Sequence, residues 1–173
     1  MEPQNSEQEL CVQCGICCDN TLFDIVKLIE GEAQRFPSLP KKEVEGHEYF
    51  VLPCPHFDSC CTIYMDTPSV CKSFRCQLLK DFSDDKRTKE RSLLIIKETK
   101  AFRDQIVDQY FHSTGERLSL RQIEKALEAT NKENKLERNL NTLLLKVELL
   151  NIQLAKHFRS PDKYNELYKL LDE

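Results

Sequence analysis

Glycine is scarce in this chain of 173 residues, with only Gly15, Gly31, Gly46 and Gly115 present. No two of them are close enough to build a phosphate-cradling loop or a dinucleotide fingerprint, which excludes P-loop and Rossmann readings. Excess positive charge is also lacking. The formal net charge of −4 speaks against a chain that mainly neutralises phosphates or coats an anionic membrane, so neither nucleic acid nor membrane is an expected partner. Long apolar runs are missing: Leu93 to Ile96 and Leu143 to Leu145 fall far short of the roughly 20 residues of a membrane-spanning helix. Residues 1–10 carry Glu2, Glu7 and Glu9 but no Lys or Arg, unlike the basic start of a secretory signal. A cytoplasmic chain is the expectation, of one domain or one domain plus an appendage.

Cysteine is what the chain has in excess. It holds nine, and in a reducing cytosol clustered thiols more often bind metal or do redox work than form lasting disulfides. All nine lie between Cys11 and Cys76, and six of the seven prolines fall within the first 80 residues. Residues 1–80 hold 7 Lys and Arg against 12 Asp and Glu, whereas residues 81–173 hold 18 against 17. Ionised thiols would add to the negative charge of the first half, and a bound cation would offset it.

The expected fold class is therefore α+β: a small metal-stapled, cysteine-rich lobe with short strands, followed by a helical C-terminal half. Residues 1–10 are expected as a flexible N-terminus, 11–80 as the cysteine lobe and 81–173 as a helical bundle packed on it. In the lobe, Thr21 to Ile29 reads as a strand or a helix turn and Tyr49 to Leu52 as a short strand, with Thr62-Ile63-Tyr64 a candidate to pair with it. In the second half, Lys86 to His112 spaces Leu93, Ile95, Ile96, Phe102, Ile106 and Tyr110 mostly at helical intervals. Gly115 marks a break. Ser119 and Gln122 form a capping box, with Leu118 placed to staple onto Ile123, ahead of a helix from about Leu120 to Ala129. From Leu136, the series Leu140, Leu143, Val147, Leu150, Leu154 is a heptad seam. Its partner is expected to be the Lys86 to His112 helix of the same chain, with a helix-mediated homodimer as the alternative to a monomer. Ser160-Pro161 opens a last helix with Tyr164, Leu167, Tyr168 and Leu171.

The first cysteine block is Cys11-x-x-Cys14-Gly15-x-Cys17-Cys18. A C-x-x-C pair turns both sulfurs toward one ion while loop N–H groups point at the thiolates, and Gly15 supplies the tight turn. The second block is Cys54-x5-Cys60-Cys61-x9-Cys71-x4-Cys76. Neighbouring side chains of an extended segment point to opposite sides, so Cys17 and Cys18 are expected to serve different centres, or one of them only packs. Two four-sulfur sites, one polynuclear cluster, or one site plus free thiols all remain open. The spacing matches neither the bacterial ferredoxin run nor paired zinc-ribbon knuckles. Sulfur ligation is the reading, with zinc or iron, including an iron–sulfur cluster, as the metal.

At these residues the chain resembles the CxxCxxCC cysteine-cluster family, described as a zinc- or iron-chelating domain. The resemblance is carried by Cys11-Val-Gln-Cys14-Gly-Ile-Cys17-Cys18, Cys54-Pro55, Cys61-Thr-Ile63-Tyr64, Pro68-x-x-Cys71 and Ser73-Phe74-Arg75-Cys76. It spans about residues 11–79. It implies Cys11, Cys14, Cys17, Cys18, Cys54, Cys61, Cys71 and Cys76 as metal ligands and leaves Cys60 without a counterpart. The family usually has Arg-Pro where this chain has Thr67-Pro68, and often Arg where it has Lys72. Flagellin lysine methylases carry this domain too, but nothing in this chain looks like their S-adenosylmethionine site, and that activity is not transferred.

Other candidates carry less weight. His56 is more readily a hydrogen-bonding histidine than a ligand, and His47, His112 and His157 read as bystanders. Asp19 and Asp24 near the first block are expected as solvated carboxylates ahead of metal ligands. No paired carboxylates, nucleophile elbow or cofactor loop marks a catalytic centre. The leading function is an accessory module that handles metal or electrons for a protein partner. The alternatives are a metal-dependent enzyme acting on a protein side chain, and an interaction protein whose metal is purely structural.

Overall fold

Ser6–Cys14 coils into the first helix, α1, and Gly15 ends it by taking a φ of 70°, a conformation that costs glycine nothing. The N–H groups of Cys18 and Asp19 both donate to the Gly15 carbonyl, at 2.8 and 2.9 Å. This tight turn carries Cys17 and Cys18. The computed structural model describes residues 6–132 and 138–159. The helix expected from Ser160 onward and the first seam residue, Leu136, lie outside the described residues.

Three short strands follow, β1 (Ile25–Lys27), β2 (Lys41–Val44) and β3 (His47–Val51), with a helical turn α2 (Glu32–Arg35) before β2. They form an antiparallel sheet in the order β1-β3-β2, with Ile25 opposite Val51 and Lys41 opposite Phe50. Glu45 and Gly46, both at positive φ, close the β2–β3 hairpin as its twist requires. β2 reads Lys-Lys-Glu-Val and is largely exposed, a charged edge that resists pairing with another chain. Both edges of β3 are taken by β1 and β2, so Thr62-Ile63-Tyr64 does not pair with it as expected. Instead β4 (Phe57–Asp58) pairs with β5 (Cys60–Cys61), and Tyr64–Asp66 makes a 3-10 turn.

Two short helices, α3 (Ser69–Ser73) and α4 (Gln77–Ser83), lead into α5 (Lys89–Thr114), α6 (Leu120–Lys132) and α7 (Arg138–His157). The Thr88 hydroxyl accepts the Arg91 N–H at 3.2 Å to cap α5, and Gly115 closes it at a φ of 77°. The Ser119 N–H donates to Gln122 Oε1 at 2.9 Å, one arm of the capping box. Leu143, Val147, Leu150 and Leu154 of the seam are buried, and α7 packs against α5. Each such side chain contributes roughly 1.5–3 kcal/mol by leaving water.

The same core continues beyond the helices. Leu10, Ile16, Leu22 and Leu78 join Ile95, Ile96, Ile106 and the seam in one cluster, and both α1 and α4 pack on α5. Helix α1 begins inside the segment expected to be flexible, because Leu10 is needed in this core. A smaller cluster of Leu28, Phe36, Leu39, Phe50 and Leu52 lies on the sheet. Among the described residues no helix is long and apolar enough to cross a membrane.

Candidate metal centre

The two cysteine blocks meet where α1, the Gly15 turn and the segments after β3 come together. Helix α1 packs on both β5 and α4, which brings Cys11 and Cys14 toward Cys61 and Cys76. Outside the helix, the Cys54 N–H donates to the Cys18 carbonyl at 2.7 Å. At the far end of α1, Arg75 pairs with Glu7 at 2.7 Å, holding the start of the helix against the residue before Cys76.

Two adjoining cavities lie between these elements. The smaller, of about 50 Å³, is bordered by Cys11, Cys14, Cys17, Cys18 and Cys76 together with Leu10, Leu78 and Phe158. The larger, of about 320 Å³, is bordered by Cys11, Cys17, Cys18, Cys54, Cys61 and Cys71 together with the apolar side chains of Phe23, Phe50 and Phe74. All eight cysteines singled out by the resemblance border one cavity or both, and Cys60 borders neither. All nine are free thiols. Among the described residues, no three or more His, Cys, Asp and Glu side chains are gathered closely enough to hold an ion as they stand.

The electrostatics of the thiols follow from burial among apolar walls and from their crowding. Burial pushes Cys14 and Cys71 up to about 12. It raises Cys17 and Cys18 strongly and Cys11, Cys54 and Cys76 to a lesser degree. Cys11 and Cys71 belong to this set although much of each residue is exposed. Neighbouring thiolates add to the rise: Cys76 and Cys14 act on Cys17, and Cys54, Cys71 and Cys61 act on Cys18. Backbone donors oppose it. The backbone N–H groups of Ile16 beside Cys14, of His56 beside Cys54, and of Leu78 and Leu79 beside Cys76 lower these thiols. Such donors favour the thiolate, the form that ligates metal. Soft sulfur donors among apolar walls suit zinc or iron.

The remaining candidates fall away from the cavities. His56 Nε2 lies 2.6 Å from Ser38 Oγ, which gives it a hydrogen-bonding role. Cys60 is exposed on β5. Asp19 and Asp24 are not free carboxylates: Asp19 pairs with Arg103 of α5, and Asp24 pairs with Lys125 of α6 at 2.8 Å. Arg103 also donates to Thr21 Oγ1 at 3.3 Å, and Arg121 donates to the Thr21 carbonyl at 2.9 Å. These cations fasten the loop after Cys18 to the helices. Sequence reasoning missed Arg103, Arg121 and Phe57, since their partners lie too far along the chain for spacing to reveal them.

Phe57 shows why Gly15 stands in the first block. A Cβ built on Gly15 would lie 1.9 Å from Phe57 Cζ. The ring occupies the space a side chain would need, so the turn carrying Cys17 and Cys18 packs on β4 through bare backbone. Comparison of the chain with protein-family models, with curated proteins and with solved structures found no match, and its functional reading rests on its own residues.

Proposed function

We propose that this chain is a cytoplasmic metal-binding protein that chelates zinc or iron, as ions or as an iron–sulfur cluster, through Cys11, Cys14, Cys17, Cys18, Cys54, Cys61, Cys71 and Cys76. It serves as an accessory module that handles metal or electrons for a protein partner. The observation that carries this reading is that two adjoining cavities are bordered by these eight thiols and not by the ninth. The thiols of Cys11, Cys14, Cys17, Cys18, Cys54, Cys71 and Cys76, raised by burial, are costly to ionise without a compensating cation, and a divalent ion removes that cost. The cysteine lobe, whose apolar cluster lies on the sheet away from α1, is metal-stapled in this reading.

Anaerobic purification from metal-replete cells, followed by elemental analysis and an absorption spectrum, tests the proposal. Zinc or iron at one or more per chain is the expected result, with visible colour if the iron is in a cluster. Less than one metal per several chains overturns it.

A further inference from the structure

The eight thiols do not border one common space. Cys14 and Cys76 border only the smaller cavity, while Cys54, Cys61 and Cys71 border only the larger. Between them runs the turn after Gly15, whose adjacent residues Cys17 and Cys18 have different neighbours. The main chain of Cys18 is hydrogen-bonded to that of Cys54. Cys14, Cys17 and Cys76 pack against the main core cluster, whereas Cys54 packs against the cluster on the sheet. Cys11 borders both cavities and α1 packs on both α4 and β5, but Cys11 stands one helical turn before Cys14, which borders only the smaller. Residues three apart on a helix share a face, which groups Cys11 with Cys14.

We propose that the thiols serve two separate metal centres, Cys11, Cys14, Cys17 and Cys76 at the smaller cavity and Cys18, Cys54, Cys61 and Cys71 at the larger. The proposal rests on the metal-binding reading above and assigns each centre four sulfurs, the number a tetrahedral ion takes. The cavities differ in kind. The smaller, about 50 Å³, is walled by Leu10, Leu78 and Phe158. The larger, about 320 Å³, has room beyond a single ion and is walled by Phe23, Phe50 and Phe74.

Cobalt(II) alone, titrated anaerobically into the reduced full-length chain, reports thiolate ligation by its charge-transfer absorption, and native mass spectrometry counts the ions. The wild-type chain is expected to take up two. Cys14→Ser with Cys76→Ser, and separately Cys54→Ser with Cys71→Ser, are each expected to lower the charge-transfer absorbance about twofold and leave one ion bound. Cys60→Ser is expected to leave both. A wild-type count of one, or loss of all cobalt from either double variant that keeps its helical circular dichroism, overturns the two-centre assignment while leaving metal binding intact. If a double variant does not fold, the wild-type count alone decides. A wild-type chain that binds no cobalt, and carries no metal when isolated, overturns the underlying reading instead.

Discussion

The backbone N–H of Cys54 donates to the carbonyl of Cys18 at 2.7 Å, joining the two cysteine blocks by main chain alone. This bond itself involves no side chain. The residues that hold this junction, and those that tie it to the helices, give the predictions below.

Metal removal should affect the two halves unequally. The buried cluster of Ile106, Ile123, Leu127, Leu143, Leu150 and Leu154 lies within α5, α6 and α7, whereas the lobe draws on metal for part of its folding free energy. Chelation of the isolated protein is expected to abolish the near-ultraviolet signal of Tyr49 and Tyr64 and to preserve most of the far-ultraviolet helical signal. Loss of both together would mean a single cooperative unit.

Gly15→Ala should destabilise the fold through a clash as well as through backbone strain. The new methyl would sit 1.9 Å from Phe57 Cζ, whereas Gly115 also has positive φ but nothing within 4 Å. Gly115→Ala is expected to cost about 1–2 kcal/mol for its left-handed backbone. Gly15→Ala adds to this an overpacking cost of about 1–3 kcal/mol. Urea denaturation of both variants checks the difference, and equal losses would show that the Phe57 ring moves aside freely.

Arg103→Ala should loosen the loop after Cys18. Arg103 and Asp19 are each mostly buried, at 16 and 17 % side-chain exposure, and removing the cation leaves a desolvated carboxylate without its partner, a loss of about 1–3 kcal/mol. A lower melting temperature and faster labelling of Cys17 and Cys18 by a thiol reagent are expected in the metal-free protein. Wild-type labelling rates in this variant would count against the clamp.

Glu32 should make stability fall on acidification. Burial pushes its carboxyl up, but the Ser69 and Ile29 N–H groups, at 2.6 and 3.1 Å, and the nearby Arg35 outweigh this and hold it below its ordinary value. A carboxyl lowered by folding stabilises the protein above its unfolded pKa, and that contribution is lost as pH falls through the folded value. In urea denaturation from pH 7 to pH 3, Glu32→Gln is expected to be less stable than wild type at neutral pH and to show a shallower loss below about pH 4.5. Parallel curves would remove Glu32 from the acid response.

The helices were the most legible part of the sequence. Their apolar residues recur at helical spacing, Ser119 and Gln122 announce the start of α6, and Gly115 announces the end of α5. The lobe was less legible for physical reasons. β2 is Lys-Lys-Glu-Val, an edge strand with no buried face to impose alternation. Helix α1 mixes Glu, Gln and Cys and buries Leu10 only because α5 lies against it. The cysteine positions could be read from spacing, and Cys60 was set apart by the resemblance alone. The partition of the thiols between two cavities could not be read, because it depends on how α1 packs on β5 and α4. Nor could the pairing of Asp19 and Asp24 with cations more than 80 residues away.

The arginine clamp also bears on the order in which the protein is made. Arg121 reaches back 100 residues to the Thr21 carbonyl, and Arg103 reaches back 82 to the Thr21 hydroxyl. A ribosome adding roughly 5–20 residues per second delivers Cys11 to Cys18 several seconds before either arginine exists. Until Cys76 is made the leading thiols lack the second cysteine block, and until Arg103 and Arg121 follow they lack the clamp, so they stay exposed while α5 and α6 are still to come.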